Sequence, residues 1–284
     1  MNSLKVTFLI LTLTVLFMAV GYLLGGRSGI IIAFAIAIVI NFSSYWFSDK
    51  IILKMYKARE ISENDHRRFY AIVRYVSQKA MLPMPKVYII PTKAPNAFAT
   101  GRNFDHAAVA ATEGLLELLD DRELEGVIGH EMAHIANKDM LIGTIAATLA
   151  GAIGMIASIA RWSLIFGGGG NSRQGNNPLG LIAMMIVAPI AALLIQMGIS
   201  RTREYKADEK GAEMTNQHLG LASALKKIHR APVRLNLDTR PETAHLFIAN
   251  PLSGKGFTSL FSTHPPVEKR IKRLEDLATR STYY

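Results

Sequence analysis

Four uncharged stretches constrain this chain before any motif does: Val6–Leu24, Gly29–Phe47, Met140–Ala160 and Pro178–Ser200 run 19, 19, 21 and 23 residues without Asp, Glu, Lys, Arg or His. A helix needs about 20 predominantly apolar residues to cross the hydrocarbon core of a bilayer, so each is long enough to span. Neither of the first two carries a polar face at helical spacing, which favours spanning over burial in a soluble core. The first is of full length and leads almost at once into the second. A cleavable signal peptide has a shorter apolar region and a small-residue cleavage site, so this stretch reads as a retained anchor. The third is rich in Gly and Ala and is also compatible with packing inside a protein, so spanning by the second pair stays open. Its Gly143, Ala147 and Gly151 recur every four residues and offer a face on which a neighbouring helix can approach closely.

Lys and Arg fall on one side of these stretches. The first connecting loop carries Arg27 and the segment 161–177 carries Arg161 and Arg173, whereas Lys50, Lys54, Lys57, Arg59, Lys138, Arg201, Arg203 and Lys206 lie beyond the opposite ends. The positive-inside rule then places both termini and the long polar segments in the cytoplasm. The absence of cysteine is compatible with that compartment. A formal net charge of +10 raises the question of nucleic acid. Much of the basic excess flanks apolar stretches, where it sets topology and meets anionic lipid, and no basic helix with interleaved aromatics is present. The lipid bilayer is therefore an expected partner and nucleic acid is not. The chain divides into an amino-terminal transmembrane hairpin (1–47), a polar segment (48–139), a second apolar pair (140–200) and a second polar segment (201–284). The two polar segments are expected to form one interrupted domain, and "GGGGNSRQGNN" at 167–177 reads as a flexible outer loop.

In the first polar segment a helix is expected over Glu63 to Met81, a strand over "KVYII" (86–90), and two extended pieces about a polar turn within 96–112. Asp120 followed by Glu123 is a capping-box pattern that opens a helix carrying "GHEMAHIANKD" (129–139). On that helix His130 and His134, four apart, point the same way within about 6 Å, and Glu131 projects beside them. Zinc takes two imidazoles and a third protein ligand and leaves a position for water, while the adjacent glutamate suits a base that removes the water's proton as it attacks a carbonyl. A plain polar helix with two histidines is the alternative at this point.

A third histidine six residues after the second is absent, and from Met140 to Arg203 there is no Asp, Glu or His. The next acid is Glu204, in "SRTREYKADEKGA", directly after the fourth apolar stretch. If the third and fourth stretches form an antiparallel hairpin, Glu204 returns to the membrane face from which the His130 helix departs, which makes it the candidate third ligand. Asp208, four residues on, forms with it a like-charge pair that a nearby dication relieves. It suits the role of accepting a hydrogen bond from the far nitrogen of a ligand histidine. The alternative is a helix whose Arg201, Arg203 and Lys206 simply neutralise both acids.

The segments "NAFATG", "GVIGHEMAHIANKD", "SRTREYKADEKGA" and "STHPPVEKRI", with the two apolar pairs, together resemble the HtpX-type bacterial membrane zinc metalloproteases, relatives of the CAAX prenyl-protein endopeptidases, over nearly the whole chain. The resemblance implies a fold that is mainly α with a small β element: a polytopic membrane protein with four transmembrane helices and a cytoplasmic zincin-like metalloprotease domain. It implies one Zn2+ per chain on His130, His134 and Glu204, with Glu131 as general base. It also implies cleavage of membrane or misfolded proteins at the bacterial cytoplasmic (inner) membrane, in envelope quality control and the stress response. It suggests Asn96, Ala97, Phe98, Ala99 and Thr100 as a strand on which a substrate backbone pairs, and His264 and Arg270 as oxyanion stabilisers. The alternatives are a turn residue before Pro265 for His264 and a solvated helix face for Arg270. His66, His106, His218, His229 and His245 lack partners at ligand spacing, and surface or structural roles are expected for them. A non-proteolytic zinc-binding membrane scaffold is the competing function, which the presence of Glu131 disfavours because a structural site needs no base. A transporter is disfavoured by the lack of ionisable residues inside the apolar stretches.

Overall fold

The computed structural model describes residues 2–146, 148, 201–231, 248 and 265–281. Helical residues run from Asn2 to Met55 (α1), though not as one rod. Residues 14 and 41 of a straight helix would stand about 40 Å apart at 1.5 Å per residue, yet Asn41 Nδ2 donates to Thr14 Oγ1 at 2.9 Å. The helix folds back at Gly26, whose φ of +57° is a left-handed conformation open to glycine without a Cβ penalty. The arms meet through small residues, since a Cβ on Gly21 would lie 2.4 Å from the Gly29 carbonyl oxygen. The second arm, Gly26–Phe47, is by length and composition able to cross a membrane, and Val6–Ala19 in the first is a shorter apolar helix.

Of the second apolar pair, residues 140–146 are helical, and Ile142, Ile145 and Ala146 pack on Val6, Leu13 and Leu16 of α1. Gly143, expected on a close-packing face, has no described neighbour within 4 Å of a Cβ built on it. Ala147, Gly151, most of 140–200 and the 167–177 loop lie outside the described residues.

A four-stranded sheet contains β1 (Arg59–Glu60), β2 (Lys86–Ile90), β3 (Ala97–Thr100) and β4 (Ala108–Thr112), in the order β1-β2-β4-β3. β2 and β4 are parallel with Lys86 opposite Ala108, and β3 is antiparallel to β4 with Thr100 opposite Ala108. The two-residue period sorts side chains onto two faces. Val87, Ile89, Ala97, Ala99, Val109 and Ala111 enter the main core, while Phe98, Ala108 and Ala110 pack on Ile52 and Leu53 at the end of α1. With both faces covered, "AVAAT" is buried throughout.

Six further α-helices, α2 (Arg67–Lys79), α3 (Glu113–Leu118), α4 (Asp121–Ala136), α5 (Arg201–Thr215), α6 (His218–Arg230) and α7 (Val267–Ser281), and a short 3-10 helix at Phe104–His106 complete the described chain. α2 starts four residues later than the expected Glu63. Asp65 Oδ2 accepts from the Ser62 backbone N–H and hydroxyl, closing a turn, and His66 Nδ1 then accepts from Phe69 N–H as the cap. α4 opens with the expected capping box of Asp120 and Glu123, and Glu123 also accepts from Ser223 Oγ and Lys227 Nζ of α6, each at 2.7 Å.

The main core mixes both polar segments, bringing Leu115, Val127 and Met132 against Ala212, Leu225 and Leu274. At its centre α4 lies against α5 with backbones almost touching. A Cβ on Gly129 would sit 2.6 Å from the Gly211 carbonyl oxygen, and one on Gly211 would sit 2.5 Å from His130 N. Glu204 precedes Gly211 by about two helical turns, so this approach delivers it to the histidine face of α4.

Candidate metal centre

The three expected ligands come together. His130 Nε2 and His134 Nε2 are 3.1 Å apart. Glu204 Oε2 stands 3.7 Å from His130 Nε2, and Oε1 stands 3.5 Å from His134 Nε2. Among the described residues these three side chains form a possible metal-holding group, with ligand atoms all within 4.8 Å of one another. Ligands about 2.0–2.2 Å from a tetrahedral ion are separated by roughly 3.3–3.6 Å, so the donor set fits such an ion with small adjustments. Two imidazole lone pairs cannot face each other without a proton or metal between them. The surroundings favour positive charge there. Burial works against protonation of His134, but Asp139, Glu204 and Glu131 outweigh it and raise this imidazole to about 9. At His130 burial prevails and the imidazole is pushed down.

Glu131 is buried on the same helix, and burial pushes its carboxyl up to about 7, partly opposed by His134. Its Oε2 accepts the Ala99 backbone N–H at 2.7 Å, which links α4 to β3. Among the described strands β3 is at the sheet edge, so the segment expected to receive substrate lies directly beside the expected base. Asn96, immediately before it, accepts the Ile248 backbone N–H on Oδ1 at 3.1 Å. Thr100 Oγ1 lies 3.0 Å from Thr144 Oγ1.

The far nitrogens of both histidines meet aspartates. Asp208 Oδ1 lies 2.9 Å from His130 Nδ1, off the line of a well-formed hydrogen bond. Burial would raise the Asp208 carboxyl, but Arg270 outweighs it and holds the group at about 2. Arg270 Nε donates to Asp208 Oδ2 at 2.8 Å, Nη2 to Oδ1 at 2.7 Å, and Nη1 to the Ile248 carbonyl at 2.8 Å. Arg270 is 0% exposed, which overturns the solvated-face alternative. For Asp208 the partner is Arg270 of α7 and not a juxtamembrane Arg or Lys, and Arg203 Nη1 stands 3.6 Å from Asp139.

Asp139 is the residue that sequence reasoning missed. Lys138 N–H donates to the Ile135 carbonyl and Asp139 N–H to the His134 carbonyl, both at 3.0 Å, with Lys138 at φ +56°. This Schellman turn curls the chain under the helix end and brings Asp139 Oδ2 to 3.7 Å from His134 Nδ1. The remaining described histidines lie elsewhere: His66 caps α2, His106 Nδ1 is 2.7 Å from Asn103 Oδ1, His218 is buried, and His229 is 3.7 Å from Glu268. His245 and His264 lie outside the described residues.

Comparison with known proteins agrees with this geometry. The family model for Peptidase family M48 matches residues 63–278. A "Protease HtpX homolog" of Desulforapulum autotrophicum is 55% identical over 96% of this chain and 89% of its own length. Proteins with the same description from Pyrococcus furiosus (54% identity, 94% of this chain and 92% of theirs) and Thermodesulfovibrio yellowstonii (52%, 99% and 100%) are similar. Among solved structures, S. mikatae Ste24p superposes with a TM-score of 0.48 at 17% identity, covering 84% of this chain and 56% of that one. With His130, His134 and the neighbouring Glu131 on one helix and Glu204 on the helix facing it, all inside the matched region, the chain belongs to peptidase family M48, among the HtpX-type proteases, and is a metallopeptidase.

Proposed function

We propose that this chain is a membrane-bound zinc endopeptidase, with one Zn2+ held by His130, His134 and Glu204, that hydrolyses peptide bonds of membrane or misfolded proteins. The observation that carries the reading is the meeting of three side chains, with one ligand atom from each all within 4.8 Å of one another, from two helices separated in sequence by an apolar pair. Two imidazoles and one carboxylate suit zinc. The chemistry supplied there when zinc is bound is Lewis-acid polarisation of a water and of the scissile carbonyl. Glu131 takes the proton of the attacking water and returns it to the leaving amine. The Ala99 N–H fixes the orientation of that carboxylate.

Because the Ala99 N–H points away from β4, that of Ala97 does too. We read this edge, whose Ala99 N–H already serves Glu131, as the place where an extended peptide of any sequence pairs. For the oxyanion His264 is the proposed donor. Arg270, with each guanidinium nitrogen engaged by Asp208 or Ile248, is assigned to holding Asp208, which in turn orients His130.

The membrane reading rests on the four apolar stretches, of which Gly26–Phe47 is a described helix of sufficient length, and the cytoplasmic orientation rests on the one-sided Lys and Arg. The bacterial inner membrane, quality control and the stress response follow the HtpX resemblance. Membership of a peptidase family displaces the non-proteolytic scaffold. The test is Glu131→Gln: the purified variant should keep its zinc by mass spectrometry and lose cleavage of a model membrane substrate by about 10²–10⁴-fold. Full turnover by the variant overturns the mechanism, and full turnover by protein stripped of metal overturns the cofactor.

A further inference from the structure

Outside α1, the large apolar side chains exposed among the described residues are Tyr75, Met81, Met84 and Leu219. Three of these four belong to one place, the end of α2 and the turn that joins it to β2. Scattered apolar side chains on a surface are ordinary, whereas a group of them marks a contact.

Met81 is 91% exposed, and the backbone holds it there. α2 ends at Ala80. Met81 N–H donates to the Gln78 carbonyl at 3.1 Å and Leu82 N–H to the Ser77 carbonyl at 3.0 Å, while Leu82 packs on the main core. This is a Schellman turn, whose central residue is usually glycine. Here it is Met81, at φ +53°; among the described residues the other non-glycine residues at positive φ are Lys57, Lys138 and Asn216. An apolar side chain in a conformation that favours glycine, pointing into water, gains nothing from the domain itself. Exposed Lys79 lies close by, its Nζ 5.5 Å from the centre of the Tyr75 ring. Tyrosine and lysine flanking an apolar tip is the composition of a lipid-interface contact.

The topology places this tip on the side where the apolar helices attach. β2 follows the turn and begins with Lys86 opposite Ala108. At that end of the sheet Arg102 Nη1 donates to the Trp46 carbonyl at 3.2 Å, and its guanidinium lies 4.9 Å from the Trp46 ring. Trp46 is next to last in the apolar arm Gly26–Phe47. Thr100, also at that end, touches Thr144 of the helical residues 140–146. The opposite end carries the start of α2, where Arg68 Nε donates to Asp121 at 2.6 Å and Nη1 to the Leu116 carbonyl at 2.8 Å.

We propose that the turn from Met81 to Met84 is a further contact with the bilayer that holds α1, with Met81 entering the headgroup boundary, Met84, whose sulfur accepts from Ser77 Oγ, at the inner margin of the contact, and Tyr75 and Lys79 in the polar layer above it. The proposal rests on the membrane reading given above. A contact at this point fixes the height and tilt of the sheet, and of the β3 edge, over the surface from which a membrane-embedded substrate arrives.

The chain contains no cysteine, so one introduced thiol carries one label. Full-length protein is reconstituted into nanodiscs of phosphatidylcholine and phosphatidylglycerol bearing nitroxide lipids, with an environment-sensitive fluorophore on Met81→Cys, on Ile38→Cys in the apolar arm, or on Glu117→Cys in α3. Mid-chain nitroxides should quench the Ile38→Cys label. Headgroup nitroxides should quench the Met81→Cys label several-fold more strongly than the Glu117→Cys label. If Ile38→Cys is quenched and Met81→Cys behaves like Glu117→Cys, this contact is wrong and the membrane reading stands. If Ile38→Cys also escapes lipid quenching, the membrane reading fails and this contact with it. Shielding of the Met81→Cys label by an added unfolded protein, with no effect of lipid, overturns the proposal in favour of a protein-docking turn. Met84→Cys repeats the measurement if the Met81 variant is unstable.

Discussion

Each imidazole of the metal centre has an aspartate at its far nitrogen, and the two aspartates are held by different means. Asp208 is gripped inside the core by the fork of Arg270, whereas Asp139 is placed by a backbone turn and faced by Arg203. The two supports should therefore fail differently. Asp139→Ala removes an orienting partner from His134 and should weaken metal binding by about 10–100-fold, measured by chelator competition, with a smaller fall in the melting temperature of the metal-free protein than a break in the Arg270 pair gives, since Arg203 also loses Asp139. Arg270→Met strands a carboxylate in the core and should cost about 3–5 kcal/mol, read as a large fall in that same melting temperature. The sequence displays Asp139 inside "GHEMAHIANKD" without revealing its role. A separation of five from His134 is not a helix-face spacing, and only the left-handed turn at Lys138 brings the side chain back. Arg270 was legible as a candidate but not as a buried one, because its partner lies 62 residues away and nothing local says which face of α7 turns inward.

Between elements, the decisive contact is Gly129 against Gly211. Gly211→Ala places a methyl 2.5 Å from His130 N, and α5 must move off α4 to admit it. Overpacking of this kind costs about 1–3 kcal/mol, and Glu204 moves with its helix, so both stability and metal affinity should drop. Thermal melts and a metal titration check the two readings. β2, the pair β3 and β4, and the capped start of α4 were readable from alternation and turn chemistry. β1 and α3 were not, since two and six residues carry too little periodicity. The sheet order was hidden for another reason: β4 inserts between β2 and β3, a pairing of distant segments that makes β3 the edge beside Glu131.

For the whole molecule, the separation of apolar stretches from polar segments was plain in the sequence, while the fold-back of α1 at Gly26 and the packing of residues 140–146 upon it belong to the folded chain. In the proposed topology Ser172, outside the described residues, lies on the far side of the membrane from the metal centre. A Ser172→Cys variant should react with an impermeant thiol reagent added outside cells, and protection there would count against a second membrane hairpin. The ion pair between Asp139 and Arg203, 3.6 Å long, has a wider meaning. The chain leaves the catalytic body along the helical residues 140–146, where Thr144 still meets Thr100 of β3, and re-enters it at residue 201, beside the point where it left. With its two ends tied this close together, a change of loop length between them need not re-route the helices on either side.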